Sequence, residues 1–148
     1  MIAMIALAAA QATLPNPERA AIFTAAGAVK RGARWMICTQ DLDASARIEG
    51  VGDLNGDGRP EAVVSEEGTY CHGAAGTGFT LLSKQANGKW KSIVAMDGIP
   101  EFLKTRGVGK WPDISVGGPG FCFPILRWNG RAYVAHRYAY ESRPCRPL

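Results

Sequence analysis

The second half of the chain alternates apolar and polar positions between breaks of glycine and asparagine. Asn87-Gly88 separates Phe79–Gln85 from Lys89–Met96, and Asn129-Gly130 separates Phe123–Trp128 from Arg131–Tyr140. Asn-Gly between β-branched or aromatic runs marks a hairpin, because both residues tolerate positive φ. Pro124 lacks an amide donor and places its strand at an edge, or starts it later. Arg34–Gln40 and Ala46–Val51 read as earlier strands. A helical period is confined to the N-terminal side. There Asn16 is the cap, Pro17 takes the first helical position, and Glu18 suits the positive end of the dipole. Ile22, Ala25, Ala26 and Val29 share a face, and Gly32 closes the helix. Pro100–Arg106, opened by proline and followed by Gly107, reads as a short middle helix. The expected fold is mainly β (α+β), an antiparallel sheet domain of about seven or eight strands with an N-terminal and a middle helix.

The strand pattern repeats. Pro60-Glu61-Ala62-Val63-Val64-Ser65 is followed by Cys71, a strand and the Asn87-Gly88 turn; Pro112-Asp113-Ile114-Ser115-Val116-Gly117 is followed by Cys122, a strand and the Asn129-Gly130 turn. Each copy predicts three strands. Two such units are too few to close a propeller, which typically needs at least four blades, so one continuous sheet or two facing sheets are expected.

Composition sets the class. The 148 residues, 47% apolar and 20% charged, suit one globular domain. Eighteen glycines and nine prolines favour many turns between short strands. Ile2–Ala10 is an apolar run followed by Ala10-Gln11-Ala12, a small-x-small cleavage pattern, which predicts a signal peptide over 1–12 and a mature domain over 13–148. No other apolar stretch approaches transmembrane length, so no transmembrane anchor is expected and the protein reads as periplasmic or secreted. Cys38, Cys71, Cys122 and Cys145 are even in number and lack a Cys-x-x-Cys pair, which in an oxidising compartment predicts two disulfides. Three connectivities are open. The repeat ranks Cys71–Cys122 with Cys38–Cys145 first, because Cys71 and Cys122 hold equivalent positions. A zinc site using these cysteines with His72 or His136 is the competing reading, weakened by the absence of close ligand pairs.

Asp53-Leu54-Asn55-Gly56-Asp57-Gly58-Arg59-Pro60-Glu61 carries the one specific chemical pattern. Calcium takes about six to eight hard oxygen ligands. Asp53, Asn55 and Asp57 at alternate positions direct oxygens to one point, Gly58 permits the turn, the Arg59 carbonyl follows, and Glu61 completes the set directly or through water. The stretch from Gly52 to Val64 resembles the FG-GAP/VCBS-type repeat, whose aspartate-rich loop leads into a β-strand. It differs from an EF-hand in having Val64 where a bidentate glutamate would stand. The resemblance implies a structural Ca2+ site rather than a calcium switch. The second copy keeps only Asp113, so one site is expected, with an affinity of about 10⁻⁴ to 10⁻³ M.

Other chemistry is sparse. His72 lies in a glycine-rich loop and His136 on a strand face, while Glu66 and Glu67, being adjacent, point to opposite faces and make a poor acid/base pair. No nucleophile elbow, phosphate loop or zinc-protease motif is present. Trp111, Phe121, Phe123 and Trp128 either fill the core or frame a groove for sugar or peptide. The net charge of +4 is scattered over a solvated surface. Nucleic-acid binding has no supporting element. The functional expectation is a calcium-stabilised binding module for an envelope glycan or protein. The alternatives are an accessory or inhibitory protein docking on an envelope enzyme through the Gly117–Phe123 loop, and a hydrolase with an unrecognised site.

Overall fold

The computed structural model describes residues 14–148; the expected signal peptide lies outside them. The first element is helix α1 (Asn16–Ala25), which starts after Pro15 and ends sooner than its apolar period suggests. Gly27 adopts φ +84°, and the amides of Ala26, Gly27 and Ala28 turn back onto the carbonyls of Ile22, Thr24 and Phe23, closing the last turn. Val29 therefore belongs to a short hairpin of β1 (Val29–Arg31) and β2 (Arg34–Met36). The strand expected over Arg34–Gln40 stops at Met36 because the amides of Ile37 and Cys38 bond to the Glu66 carboxylate instead of a neighbouring strand.

Eight longer strands follow as two four-stranded meanders. The first sheet has the order β3 (Ala46–Gly52), β4 (Glu61–Glu67), β5 (Thr77–Lys84), β6 (Trp90–Asp97). A short middle helix, α2 (Thr69–His72), sits between β4 and β5. The second sheet runs β7 (Ile99–Arg106), β8 (Pro112–Gly117), β9 (Phe123–Trp128), β10 (Tyr133–Tyr140), with β11 (Arg143–Pro144) at its edge. All pairings are antiparallel. The fold is thus mainly β, and the two expected three-stranded units are β4–β6 and β8–β10, each extended by one preceding strand.

That extension corrects the Pro100–Arg106 helix. The segment is strand β7, in register with β8 from Ile99↔Gly117 to Phe102↔Ile114. Phe102 packs on the core while Glu101 and Leu103 turn outward to a surface groove, and the register shift between Phe102 and Arg106 lets Lys104 line that groove as well. Gly98 alone carries the chain from one sheet to the other. It has φ +124°, and a Cβ there would lie 2.6 Å from the Gly117 carbonyl oxygen.

The sheets pack face to face. Leu54, Val63, Phe79 and Leu81 of the first meet Trp111, Ile114, Val116, Leu126 and Tyr133 of the second. The opposite face of the first sheet, with Ile48, Val51, Ala62, Val64 and Leu82, is covered by Ile22 and Phe23 of α1. Val63 and Val64 therefore serve different cores by alternation alone. On the outer face of the second sheet the described residues place no α-helix; the short turn Gly73–Ala75 borders one end of it through Ala74 and Ala75.

Both hairpins form at the expected places, with different turns from the one assumed. At Asn87-Gly88 only the glycine has positive φ, +82°. Gly88 N–H bonds to Gln85 O, and Gln85 N–H to Lys89 O, giving a three-residue loop. Asn129 Oδ1 instead accepts from the Arg131 and Ala132 amides, 2.9 Å each, as an Asx turn.

The disulfides are Cys38–Cys71 and Cys122–Cys145, each with Cα atoms 5.8 Å apart, which overturns the pairing inferred from the repeat. Cys71 and Cys122 do hold equivalent positions, but in the β4–β5 and β8–β9 connections of different sheets, and neither bridge joins the two sheets. Glu66 holds the Cys38 amide beside α2, and the β10–β11 register brings Cys145 back to the start of β9. All four cysteines are consumed, so none is left for zinc.

Candidate functional site

The loop between β3 and β4 curls around the Asp53 carboxylate. Its two oxygens accept the Gly56 and Gly58 amides, both at 2.8 Å. Both glycines have positive φ, 75° and 84°, conformations that side-chain-bearing residues rarely adopt. Asn55 Oδ1 accepts the Asp57 amide at 3.2 Å; Asp57 accepts the Arg59 amide at 2.8 Å and pairs with its guanidinium at 3.1 Å. These bonds bring Asp53, Asn55 and Asp57 onto one short turn, as the spacing predicts, and each oxygen retains a lone pair.

Glu61 occupies a different place. It is fully buried beneath the loop, accepting the Leu54 amide and the Ser83 hydroxyl, each at 2.8 Å. Leu54 is the root of the loop: its side chain is in the inter-sheet core, its amide on Glu61, and its carbonyl 2.9 Å from Arg106 Nη1 of the second sheet. Burial pushes the Glu61 carboxyl up to about 7; bonds from Leu54 and Ser83 pull the other way, and the charges of Asp57 and Asp53 add to the rise. Among the described residues, no group of three or more His, Cys, Asp and Glu side chains is placed to hold a metal by itself. The available donor set is two carboxylates, the Asn55 amide and backbone carbonyls, all hard oxygens of the kind calcium accepts.

The four aromatic residues considered as a groove divide into two groups. Trp111 and Trp128 join Tyr133 in the inter-sheet core, with ring centroids 5.3–6.1 Å apart, and Tyr133 donates its hydroxyl to Pro112 O at 2.8 Å. Phe121 and Phe123 instead stand edge-on to Tyr140, at 5.4 and 5.7 Å, at the surface. Phe121 is 77% exposed. The Cys122–Cys145 bridge fixes the chain between these two phenylalanines.

Beside this aromatic ledge, the outer face of the second sheet forms a groove of about 460 Å3 that includes Glu101, Lys104, Ser115, Phe123, Arg137 and Tyr140. It adjoins a second depression of about 520 Å3 that shares Glu101, Ser115 and Phe123 and continues along Gly117–Pro119. Glu101, Arg137 and Tyr140 were not marked as a site by sequence. Alternation signals Glu101 with Leu103 on β7 and Arg137 with Ala139 on β10, usable only once β7 is known to be a strand, while Tyr140 falls on the other phase of β10 and carries no such signal. A bulge between Ala135 and Arg137 breaks the register of β10 there and leaves His136 exposed.

A third cluster lies on the helix side of the first sheet, lining a cleft of about 270 Å3. His72 Nδ1 is 2.9 Å from Asp97 and Nε2 is 3.0 Å from Glu66. Glu66, 1% exposed, also accepts the Ile37 and Cys38 amides at 2.6 and 2.9 Å. Burial lowers the imidazole pKa, but the bonds to Asp97 and Glu66 outweigh it and hold His72 above its ordinary value. With both ring nitrogens engaged, His72 acts as a strut joining the Cys38–Cys71 region to β6. Glu67 points to the other face and pairs with Arg47.

No helix of the described residues is long and apolar enough to cross a membrane. Compared with protein-family models, curated proteins and solved structures, the chain matches none.

Proposed function

We propose that this chain is an exported binding module of FG-GAP/VCBS type, stabilised by one calcium ion, with its ligand on the outer face of the second sheet. The observation that carries the reading is the asymmetry of the two sheets. α1 covers the outer face of the first, while the equivalent face of the second holds a groove and an exposed aromatic ledge. A concave surface is the general form of a ligand site, and an exposed phenylalanine beside a disulfide is a preorganised element of one. Two disulfides suit an oxidising compartment.

Asp53, Asn55, Asp57 and the Arg59 carbonyl would hold the calcium, with Glu61 beneath and water completing the shell. The ion would neutralise the crowded carboxylates and fix the root of the loop, which Leu54 and Arg106 tie to both sheets. A competing reading, docking on an envelope protein through the Gly117–Phe123 loop, draws on the exposure of Phe121 at its tip. Capture from an envelope extract on immobilised protein, split into glycan and protein fractions, decides between them. A retained glycan that Phe121→Ala releases supports the module, a retained protein supports docking, and retention of neither removes both.

A further inference from the structure

The charge of the chain is divided between its sheets. Residues 99–148 carry eight Lys and Arg against three Asp and Glu, an excess of five positive charges; residues 14–98 carry nine against ten. In the first half three of the nine cations are in ion pairs, Arg47 on Glu49 and Glu67, Arg59 on Asp57 and Lys84 on Glu18. Of the eight cations in the second half, Arg127 on Asp113 is the one in an ion pair among the described residues. The positive field of the molecule therefore lies on the sheet that carries the open groove, where it steers anions.

The groove is more selective than the field around it. Arg137 and Lys104 line it together with Glu101 and Glu141, so its walls carry both signs, and none of these four makes an ion pair among the described residues. A ligand of phosphates alone would meet Arg137 and be repelled by the two glutamates. A bilayer surface does not enter a concave strip. A chain of sugar rings bearing carboxylate or sulfate groups satisfies every wall. Its anions meet the guanidinium and ammonium groups, its hydroxyls donate to Glu101 and Glu141, and its ring faces lie on Phe121, Phe123 and Tyr140.

Resting on the binding-module reading and naming its ligand class, we infer that the outer face of the second sheet binds an acidic oligosaccharide. The test is amide-resolved NMR titration of the disulfide-bonded chain with four probes: an oligogalacturonate hexamer, a heparin-derived hexasaccharide, maltohexaose and polyphosphate. The expected result is shifts confined to β7–β10 with one or both acidic sugars, and at least tenfold weaker binding of maltohexaose and polyphosphate. Arg137→Ala should lower the affinity at least tenfold and Phe121→Ala several-fold, both at exposed positions, while Lys89→Ala on the first sheet leaves it unchanged. Equal binding of polyphosphate, insensitive to Phe121→Ala, would reduce the face to a general polyanion surface and overturn the inference. Equal binding of maltohexaose, or absence of shifts with both acidic sugars, also overturns it. In those cases a ligand captured from envelope extract keeps the module and discards only the sugar class, whereas an empty capture discards both.

Discussion

Glu61 and Asp113 occupy the same place in the two repeats, each following a proline at the start of a strand and each fully buried. Their surroundings are opposite. Asp113 receives the Arg127 guanidinium at 3.0 and 2.8 Å and the Thr105 hydroxyl at 2.6 Å. Burial pushes its carboxyl up, and those bonds more than reverse it, holding the group below the ordinary aspartate value. Glu61 has a hydroxyl and an amide but no cation, and two aspartates lie nearby. A buried carboxylate must lose its charge or find a compensating one. The second repeat has an arginine for this, and the first has a loop of oxygens that a cation could fill.

The largest way to sharpen the comparison is to open one disulfide at a time. Loops of 33 and 23 residues each correspond to about 3–4 kcal/mol of lost stability in chain-entropy terms. Cys38→Ser with Cys71→Ser should lower the melting temperature and leave ligand affinity intact. Cys122→Ser with Cys145→Ser should lower both, because it frees the mount of Phe121. Equal effects of the two pairs on affinity would show that the sheets do not divide labour.

The next effect is a pH dependence of opposite sign in the two repeats. Glu61 rises from an ordinary 4.5 to about 7. Its contribution is therefore fully present below pH 4.5 and lost as pH climbs through 7, about 3 kcal/mol in all. Asp113 is held below 3.8, so its contribution is present above pH 3.8 and lost as acid protonates it. In calcium-free buffer, denaturant titrations of Glu61→Gln should lack the decline between pH 4.5 and 7, and Asp113→Asn should lack the acid loss. A Glu61→Gln profile that tracks wild type across that window would remove the electrostatic contrast.

Calcium should act on the first repeat alone. With an affinity of about 10⁻⁴ to 10⁻³ M, 10 mM calcium stabilises by about 1.4–2.7 kcal/mol, or about 3–10 °C in Tm. Asp53→Ala or Asp57→Ala should abolish the shift, and Asp113→Asn should leave it. A wild-type Tm equal in chelator and in calcium would leave the loop as a set of hydrogen-bonded turns and Glu61 to its proton.

How much of this was legible in the sequence depended on whether the signal was local. Asn87-Gly88 and Asn129-Gly130 carry their own turn chemistry, and both hairpins could be located without the fold. The Asp53–Asp57 spacing likewise put three oxygen donors on one turn. Pro100–Arg106 failed because its strand character comes from pairing with β8, while proline at one end and glycine at the other imitate helix signals. Gly107 is there for another reason: a Cβ would lie 2.5 Å from the Trp128 carbonyl oxygen. Two disulfides formed as expected, but their pairing failed because equivalence between repeats says nothing about which cysteines meet in space. The role of Glu66 could not be read, since its partners, the adjacent Ile37 and Cys38 and the distant His72, come from two separate segments.

The smallest prediction concerns that strut. His72 lies above its ordinary 6.5 because the bonds to Asp97 and Glu66 outweigh burial. Its contribution is complete below pH 6.5 and fades as pH rises through the raised value. Asp97 is 55% exposed, so solvent screens that half of the bridge and the total stays below about 1 kcal/mol. His72→Gln can keep one bond but not both, and should remove the decline above pH 6.5 while Glu66 still holds the Ile37 and Cys38 amides. Hydrogen exchange should quicken over Thr69–Ala75 and little elsewhere. The window separates this group from Glu61, whose loss is under way from pH 4.5. If His72→Gln also altered affinity on the second sheet, the single-residue link at Gly98 would be transmitting strain, and the two sheets would have to be treated as one mechanical unit.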